Sequence, residues 1–374
     1  MNRFKKVFQP TPTAWFDPNN LEGVYKKYGA AYLGADNLLP DIESYYNPPL
    51  YRGGKTLIKD GDSATLRDNL CLHRQVPLLE GLYGTLLNGH TVCPVHRWTY
   101  DRKGAVVGNL SGFCKESVGS LRITPVGNVD GYIFVRTRQA EAMEKMLRDA
   151  ERFDPSLFSI KRFAKDRGLV RVVQYPTPYS LWMFILNYLD VLHVGPYHKN
   201  TFAEVADCKT LSWEFGEAWS MQVIMPAASI APSAQGHWAK LARRVYEKLP
   251  ESRDHPFALW GLVNPELMFE LYFGHFLAVS YLVPVGPRSC VNVVEYYMSD
   301  EAWLELGVDA IDDFIKAYRS SADEDDEICA RMQHGLEILE AEGEVLHGPF
   351  HDKMEEGMVH YLEWLYSAGF KFGQ

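Results

Sequence analysis

The sequence predicts an α+β chain in two parts: a small antiparallel β domain, then a larger domain whose antiparallel sheet is covered by helices. Three observations lead there. The 374 residues suffice for two domains of ordinary size. From about 38 to 148 the signals are short strands and turns. From about 155 to 374 strands and helices alternate less regularly. The expected divisions are 1–37 for an N-terminal arm, 38–150 for the first domain and 151–374 for the second.

The elements follow in order. Residues 1–36 are rich in Pro, Asn, Gly and aromatics. They read as an arm with short helical turns that packs on a neighbour or on the body of the domain. Residues 50–61 place turn glycines on both sides of an alternating run. Residues 64–69 lead into Cys71, and 91–94, 98–104 and 131–136 continue the pattern. A helix over 138–153 marks the join. A strand is expected at 169–175, then a helix over 177–194, started by Pro178 and stopped near Gly195-Pro196. A hairpin at 210–215 and 219–225 leads to further sheet at 267–283 and 291–297. Helices are expected over 309–319, 326–341 and 352–367. The run 323–327 is the only acidic block.

Composition excludes several classes. Apolar residues are 47% and charged residues 23%, ordinary for a globular protein. No apolar run approaches the roughly 18 residues of a membrane helix. The basic start is followed by Gln9-Pro10-Thr11-Pro12 and not by an apolar stretch, so no secretory signal is expected. A net charge of −10 argues against a grip on nucleic acid or an anionic membrane. Six cysteines are too sparse for a disulfide scaffold, which points to a reducing, cytoplasmic compartment. There, a Cys one or two residues from a His reads as a metal ligand. Cys114, Cys208, Cys290 and Cys329 read as small buried side chains or bystanders.

Two such couples occur. Cys71 and His73 have one residue between them, and Cys93 and His96 have two. A Rieske [2Fe-2S] cluster needs two thiolates on one iron and two imidazoles on the other, and two loops each giving one Cys and one His supply that division. The alternative is a structural zinc site, but Cys-x-His is unusual spacing for a zinc finger and the finger helix is missing.

The second constellation is Asn187, Asp190, His193 and His198. On a helix Asp190 and His193 share a face, and Gly195-Pro196 can break the helix and turn His198 back. Two His and one carboxylate on one side of an iron leave positions open for O2. A competing set, His347, His351 and Glu355, reads instead as a loop.

The flanks of both constellations resemble the Rieske non-haem iron ring-hydroxylating oxygenases, in the alpha (terminal oxygenase) subunit. The resemblance covers about residues 38–365. Asn69-Leu-Cys-Leu-His-Arg74 and Cys93-Pro-Val-His-Arg-Trp98 are similar to the cluster loops, with Arg97 where the family commonly has Gly. Residues 187–198 are similar to Asn-x-x-Asp-x-x-His-x4-His, with Leu186 where many members have Glu. The resemblance implies a Rieske domain followed by a catalytic domain of the START/Bet v1-like helix-grip kind. It implies Cys71, His73, Cys93 and His96 as cluster ligands and His193 and His198 as ligands of one mononuclear non-haem Fe(II). Asp190 becomes the bridge to His96 of a neighbouring subunit. The third iron ligand falls in 324–335, which fits Glu-Asp-x7-Gln-x-Gly. Asp325 is favoured, with Asp326 and Asp323 as competitors and a solvated helix N-terminus as the bland reading.

The expected function is that of a terminal oxygenase. Electrons come from NAD(P)H through a flavin reductase or ferredoxin, and the assembly is a homotrimer or a multiple of it. The expected chemistry is hydroxylation of an aromatic compound, with demethylation or alkylamine oxidation as the alternative. Phe184, Met183, Leu192, Met221, Tyr272, Phe273, His275 and Tyr281 are candidate pocket residues, and plain core packing explains them as well. A non-catalytic electron carrier is the competing class. Three irons per chain support the oxygenase and two the carrier.

Overall fold

The computed structural model describes residues 4–29, 31–109, 119–150, 158, 163 and 171–373. Cys114, the end of the expected 138–153 helix and the start of the expected 169–175 strand lie outside them. The chain forms two compact units. One is Ala31–Ala140; the other gathers the N-terminal residues with the chain from Glu141 onward. The strand and turn signals and the helix over 138–153 place the joins at 38 and 150.

The first unit is built from small antiparallel sheets. Its five-stranded sheet runs in the order Ile123–Thr124, Ser63–Asp68, Lys55–Asp60, Ser44–Tyr46, Tyr83–Thr85. The central hairpin closes on Gly61-Asp62, with Gly61 at φ 63°, as a two-residue turn requires. A second sheet joins Thr91–Val92, Thr99–Tyr100 and Val106–Gly108. Cys71, Leu78, Cys93, Trp98, Tyr100, Val106 and Leu121 form one buried cluster, so the two Cys loops sit on their own small core. Arg67 is buried beneath it and donates to the Asp101 carbonyl at 2.9 Å and to Thr91 Oγ1 at 2.6 Å.

The second unit is a seven-stranded antiparallel sheet. Its order is Arg171–Thr177, Ser289–Met298, Phe276–Gly286, Leu267–Tyr272, Ala258–Val263, Trp219–Pro226, Ala206–Phe215. Every residue of Ala258–Val263 and Leu267–Tyr272 is buried. The helix Ala310–Glu342 lays Ile311, Phe314, Ala317 and Tyr318 at helical spacing onto Tyr272, Phe276 and Tyr296 in one core. The helix His237–Lys248 adds Trp238, Leu241, Ala242 and Val245 to it. This is the sheet covered by helices that the sequence predicts. The N-terminal helices Pro12–Phe16 and Pro18–Tyr28 pack on the C-terminal end: Thr11 N–H donates to the Phe372 carbonyl at 2.7 Å, and Asn20 Nδ2 to that of Lys371 at 2.8 Å.

Two expectations about helices need correction. The helix expected over 177–194 spans only Leu181–Tyr188. It starts after Ser180, whose N–H is taken by Gln333 Oε1 at 2.7 Å. It ends where Asp190 turns its own carboxylate onto the Leu192 N–H at 2.7 Å, a local bond that competes with helix. Gly195-Pro196 is no breaker either; it lies inside the short helix Val194–Tyr197. The expected helices 309–319 and 326–341 are one 33-residue helix, so the acidic run lies mid-helix and not at an N-terminus.

Candidate metal centres

The two Cys loops are built alike. In the first, Gln75 N–H returns to the Cys71 carbonyl at 2.8 Å, and Cys71 N–H reaches the Val76 carbonyl at 2.9 Å. In the second, Arg97 N–H returns to the Cys93 carbonyl at 3.1 Å, and Cys93 N–H reaches the Trp98 carbonyl at 2.8 Å. Both turns need one left-handed residue, and Gln75 (φ 54°) and Arg97 (φ 57°) supply it. That explains the family's preference for Gly at the second position. Arg97 adopts the conformation at a cost of about 1–2 kcal/mol.

Both thiols point inward and are buried, while His96 is exposed and His73 half-buried. His73 Nδ1 and His96 Nδ1 approach to 3.2 Å, and the Trp98 ring stacks on His73 at 5.2 Å. Burial raises the Cys71 thiol, but the Tyr100 hydroxyl at 3.1 Å and nearby backbone N–H groups outweigh it and bring it below its ordinary value. A thiol eased toward thiolate, a second thiol beside it and two converging imidazole nitrogens fit the Rieske donor set.

In the second unit, His193, His198 and Asp325 bring one donor atom each to a common point, all within 4.8 Å of one another. His193 Nε2 and His198 Nε2 lie 3.1 Å apart, and Asp325 Oδ1 lies 3.2 and 3.1 Å from them. Among the described residues this is the one such group. Its surroundings orient each donor. His198 Nδ1 faces Glu324 Oε2 at 2.6 Å, and Thr201 Oγ1 donates to the same oxygen at 2.8 Å. Asn187 Nδ2 donates to Asp325 Oδ1 at 2.7 Å. Asp190 Oδ2 stands 3.4 Å from His193 Nδ1, outside good hydrogen-bond alignment. Burial lowers His193, but the Asp190 and Asp325 carboxylates outweigh it and hold it near 9. Burial raises Asp325, and the two imidazoles outweigh it, drawing the carboxyl well below its ordinary range. Two imidazoles and a carboxylate held by outer partners are a fit for Fe(II).

The same three residues line a cavity of about 60 Å³. Its other walls are largely aromatic, from Phe184, Tyr188, Phe202, Trp260, Tyr272 and Tyr318, with Glu270 between them.

Residues 50–111 match the Rieske [2Fe-2S] domain model, and residues 183–368 match the model of the ring hydroxylating alpha subunit, catalytic domain. A putrescine 2-hydroxylase of Ralstonia nicotianae is 30% identical over 94% of this chain and 93% of its own length. The chain belongs to the Rieske oxygenase alpha subunits. A second putrescine 2-hydroxylase, of Bordetella bronchiseptica, is 29% identical over 90% of this chain and 78% of that one. In structure, the alpha subunit superposes on a quaternary ammonium Rieske monooxygenase of carnitine oxidation with a TM-score of 0.72. The two are 17% identical, and the match covers 99% of this chain and 96% of that one. As an alpha subunit it carries a Rieske cluster and a mononuclear iron, is an oxygen-incorporating oxidoreductase fed by a reductase or ferredoxin, and forms multimers. None of its described helices is long and apolar enough to cross a membrane.

The alternatives raised by the sequence find other partners. Asp326 accepts from Tyr179 and Arg319, and Asp323 pairs with Arg319. His351 Nδ1 accepts the N–H groups of Lys353 and Met354 at 3.1 Å, and Glu355 accepts that of His351, so these two are spent on their own turn. Of the candidate pocket residues, Phe184 and Tyr272 line the cavity. Met183, Met221, Phe273 and Tyr281 are core, Leu192 is exposed, and His275 bonds Ser299. Two carboxylates of the site escaped the sequence reading. Glu324 was hidden in the acidic block. Glu270 left a usable signal: a lone charge inside a fully apolar strand, which demands partners.

Proposed function

We propose that this chain is the terminal oxygenase that hydroxylates a C–H bond of a small aliphatic amine. The observation that carries the reading is the charge of the cavity. Its walls carry three carboxylates, Asp190, Asp325 and Glu270, beside the two histidines, and no Lys or Arg among the described residues. Such a pocket favours a cation. Similarity to two putrescine 2-hydroxylases over nearly the whole chain supports the same class. An aromatic substrate would suit the walls but leave the buried Glu270 without a countercharge, so the amine is preferred to the aromatic compound.

Cys71, His73, Cys93 and His96 hold the cluster; His193, His198 and Asp325 hold the iron. When bound, the iron supplies a centre that binds and activates O2. The rest is done by this chain. Glu324 holds the His198 imidazole from behind and Asp190 stands 3.4 Å behind that of His193, so that Nε2 of each faces the cavity. The aromatic walls exclude water from the reacting C–H bond. The balance is one C–H bond and one O2 against one alcohol and one water, closed by two electrons and two protons. The cluster held by Cys71, His73, Cys93 and His96 would supply one-electron transfer, and on this reading the exposed His96 would meet Asp190 of a neighbouring copy in a homotrimer or its multiple.

The test needs no partner protein. Chemically reduced, iron-loaded chain is mixed once with O2 and either 1,4-diaminobutane or naphthalene. The expected product is the diamine with one added oxygen atom by mass. Oxidised naphthalene and untouched diamine would reverse the reading.

A further inference from the structure

We propose that Glu270 is the anchor for the ammonium group of the substrate, and that it selects an amine bearing N–H over a quaternary ammonium or a neutral isostere. The proposal rests on the amine reading above and assigns its specificity to one residue.

Glu270 lies mid-strand in Leu267–Tyr272, only 5% exposed, and lines the cavity that holds the iron donors. Its Oε1 accepts from Tyr318 at 2.8 Å and from Ser280 at 3.0 Å. Among the described residues its Oε2 accepts from Tyr272 alone, at 3.1 Å. A carboxylate offers about four acceptor positions. Three are filled here, all by neutral hydroxyls, and one remains on Oε2.

Hydroxyls orient a charge without cancelling it. Among the described residues no Lys or Arg lines the cavity, the two histidines there belong to the iron donors, and Asp325 contributes repulsion of like sign. Burial pushes the Glu270 carboxyl up to about 7, although the three hydroxyls oppose it. A pure structural tie between helix and strand would be served at less cost by Gln, because an unpaired buried carboxylate is expensive. The missing element is a small cation with a hydrogen to donate. A primary ammonium carries three donors, whereas a quaternary nitrogen carries none. The faces of Tyr188, Trp260 and Tyr318 suit the methylenes beside that charge.

The test is anaerobic calorimetry on the iron-loaded chain with 1,4-diaminobutane, choline and 1,4-butanediol. The wild type is expected to bind the diamine in preference to the other two. Glu270→Gln should weaken the diamine by roughly 100-fold or more, as for one lost buried charge pair, while 1,4-butanediol shifts little. The ratio of the two ligands is read per competent site, so partial misfolding does not imitate it. Equal binding of the diamine by wild type and variant, or an equal loss for both ligands, overturns the anchor. A series on the wild type needs no variant: butylamine and its N,N-dimethyl form should bind, and the N,N,N-trimethyl form at least about tenfold more weakly. A flat series also overturns the proposal. If the wild type binds none of these ligands and yields no hydroxylated diamine in single turnover, it is the amine function that fails.

Discussion

The two metal-binding regions solve one problem in opposite ways. In the first unit the backbone sets the ligands. Each Cys loop is closed by two main-chain bonds and one left-handed residue, and the histidines lean outward. In the second unit side chains set them. His193, His198 and Asp325 come from a turn, a helix end and the middle of a long helix; Glu324 and Asn187 bond the latter two, and Asp190 flanks His193 at 3.4 Å. The first arrangement suits a cluster that must hand electrons outward. The second suits an ion that must keep open positions facing a cavity. The comparison teaches where each site is vulnerable: one through backbone conformation, the other through partners one bond removed.

The largest effect expected from that difference is confined to one site. Asp325→Ala should remove the mononuclear iron and lower oxygenation by about 10³-fold or more, yet leave two irons per chain and the Rieske absorption intact. Iron analysis beside the visible spectrum checks it, and loss of both signals would break the comparison. Asp190→Asn should keep all three irons but slow turnover by about 100-fold. Rapid-mixing reoxidation of the cluster with O2 and substrate present reads that step directly. Glu324→Gln should weaken iron at His198 by about tenfold, measured by competition with a chelator, since outer partners of a metal-bound His commonly matter by that much.

Most of the donors that the structure brings together were legible in the sequence because they sit close together. Cys71 with His73, Cys93 with His96, and His193 with His198 are short-range couples of rare residues. Local sequence also announced the sheet and the enclosing helices. What it concealed was long-range. Glu324 could be told from its four acidic neighbours only by seeing His198 arrive from 126 positions away. The helix 177–194 was overdrawn because apolar periodicity does not report a side chain that bonds its own backbone, as Asp190 does. The expected break inside 310–342 was a misreading of charge as a boundary.

Smaller effects sharpen the same contrast. Glu270 has a carboxyl raised from 4.5 to about 7 in the folded state. Its contribution to stability is therefore full below pH 4.5 and lost as pH rises through 7. The difference is on the order of 3 kcal/mol at 1.36 kcal/mol per unit. Glu270→Gln should accordingly melt higher than the wild type at pH 8, with the gap closing toward pH 4.5, in thermal scans without ligand. The smallest effect belongs to the backbone-built site. Arg97→Gly should relieve the left-handed strain by about 1 kcal/mol and raise the midpoint of the Rieske unit slightly. No comparable gain is expected from a Gly substitution near His193.

Five consecutive acids, 323–327, ride the middle of the helix Ala310–Glu342, where like charges three and four apart repel. Protein cations answer three of them: Arg319 serves Asp323 and Asp326, and Arg331 serves Glu327. Glu324 has His198 and Thr201, and Asp325 is left for the metal. Loading the ion is therefore linked to the integrity of the helix itself, since whatever binds only the folded chain stabilises it by mass action. Iron-starved protein should show faster amide exchange at 321–329 than at either end of the helix's buried half, so iron supply would govern how long the chain survives as well as whether it turns over.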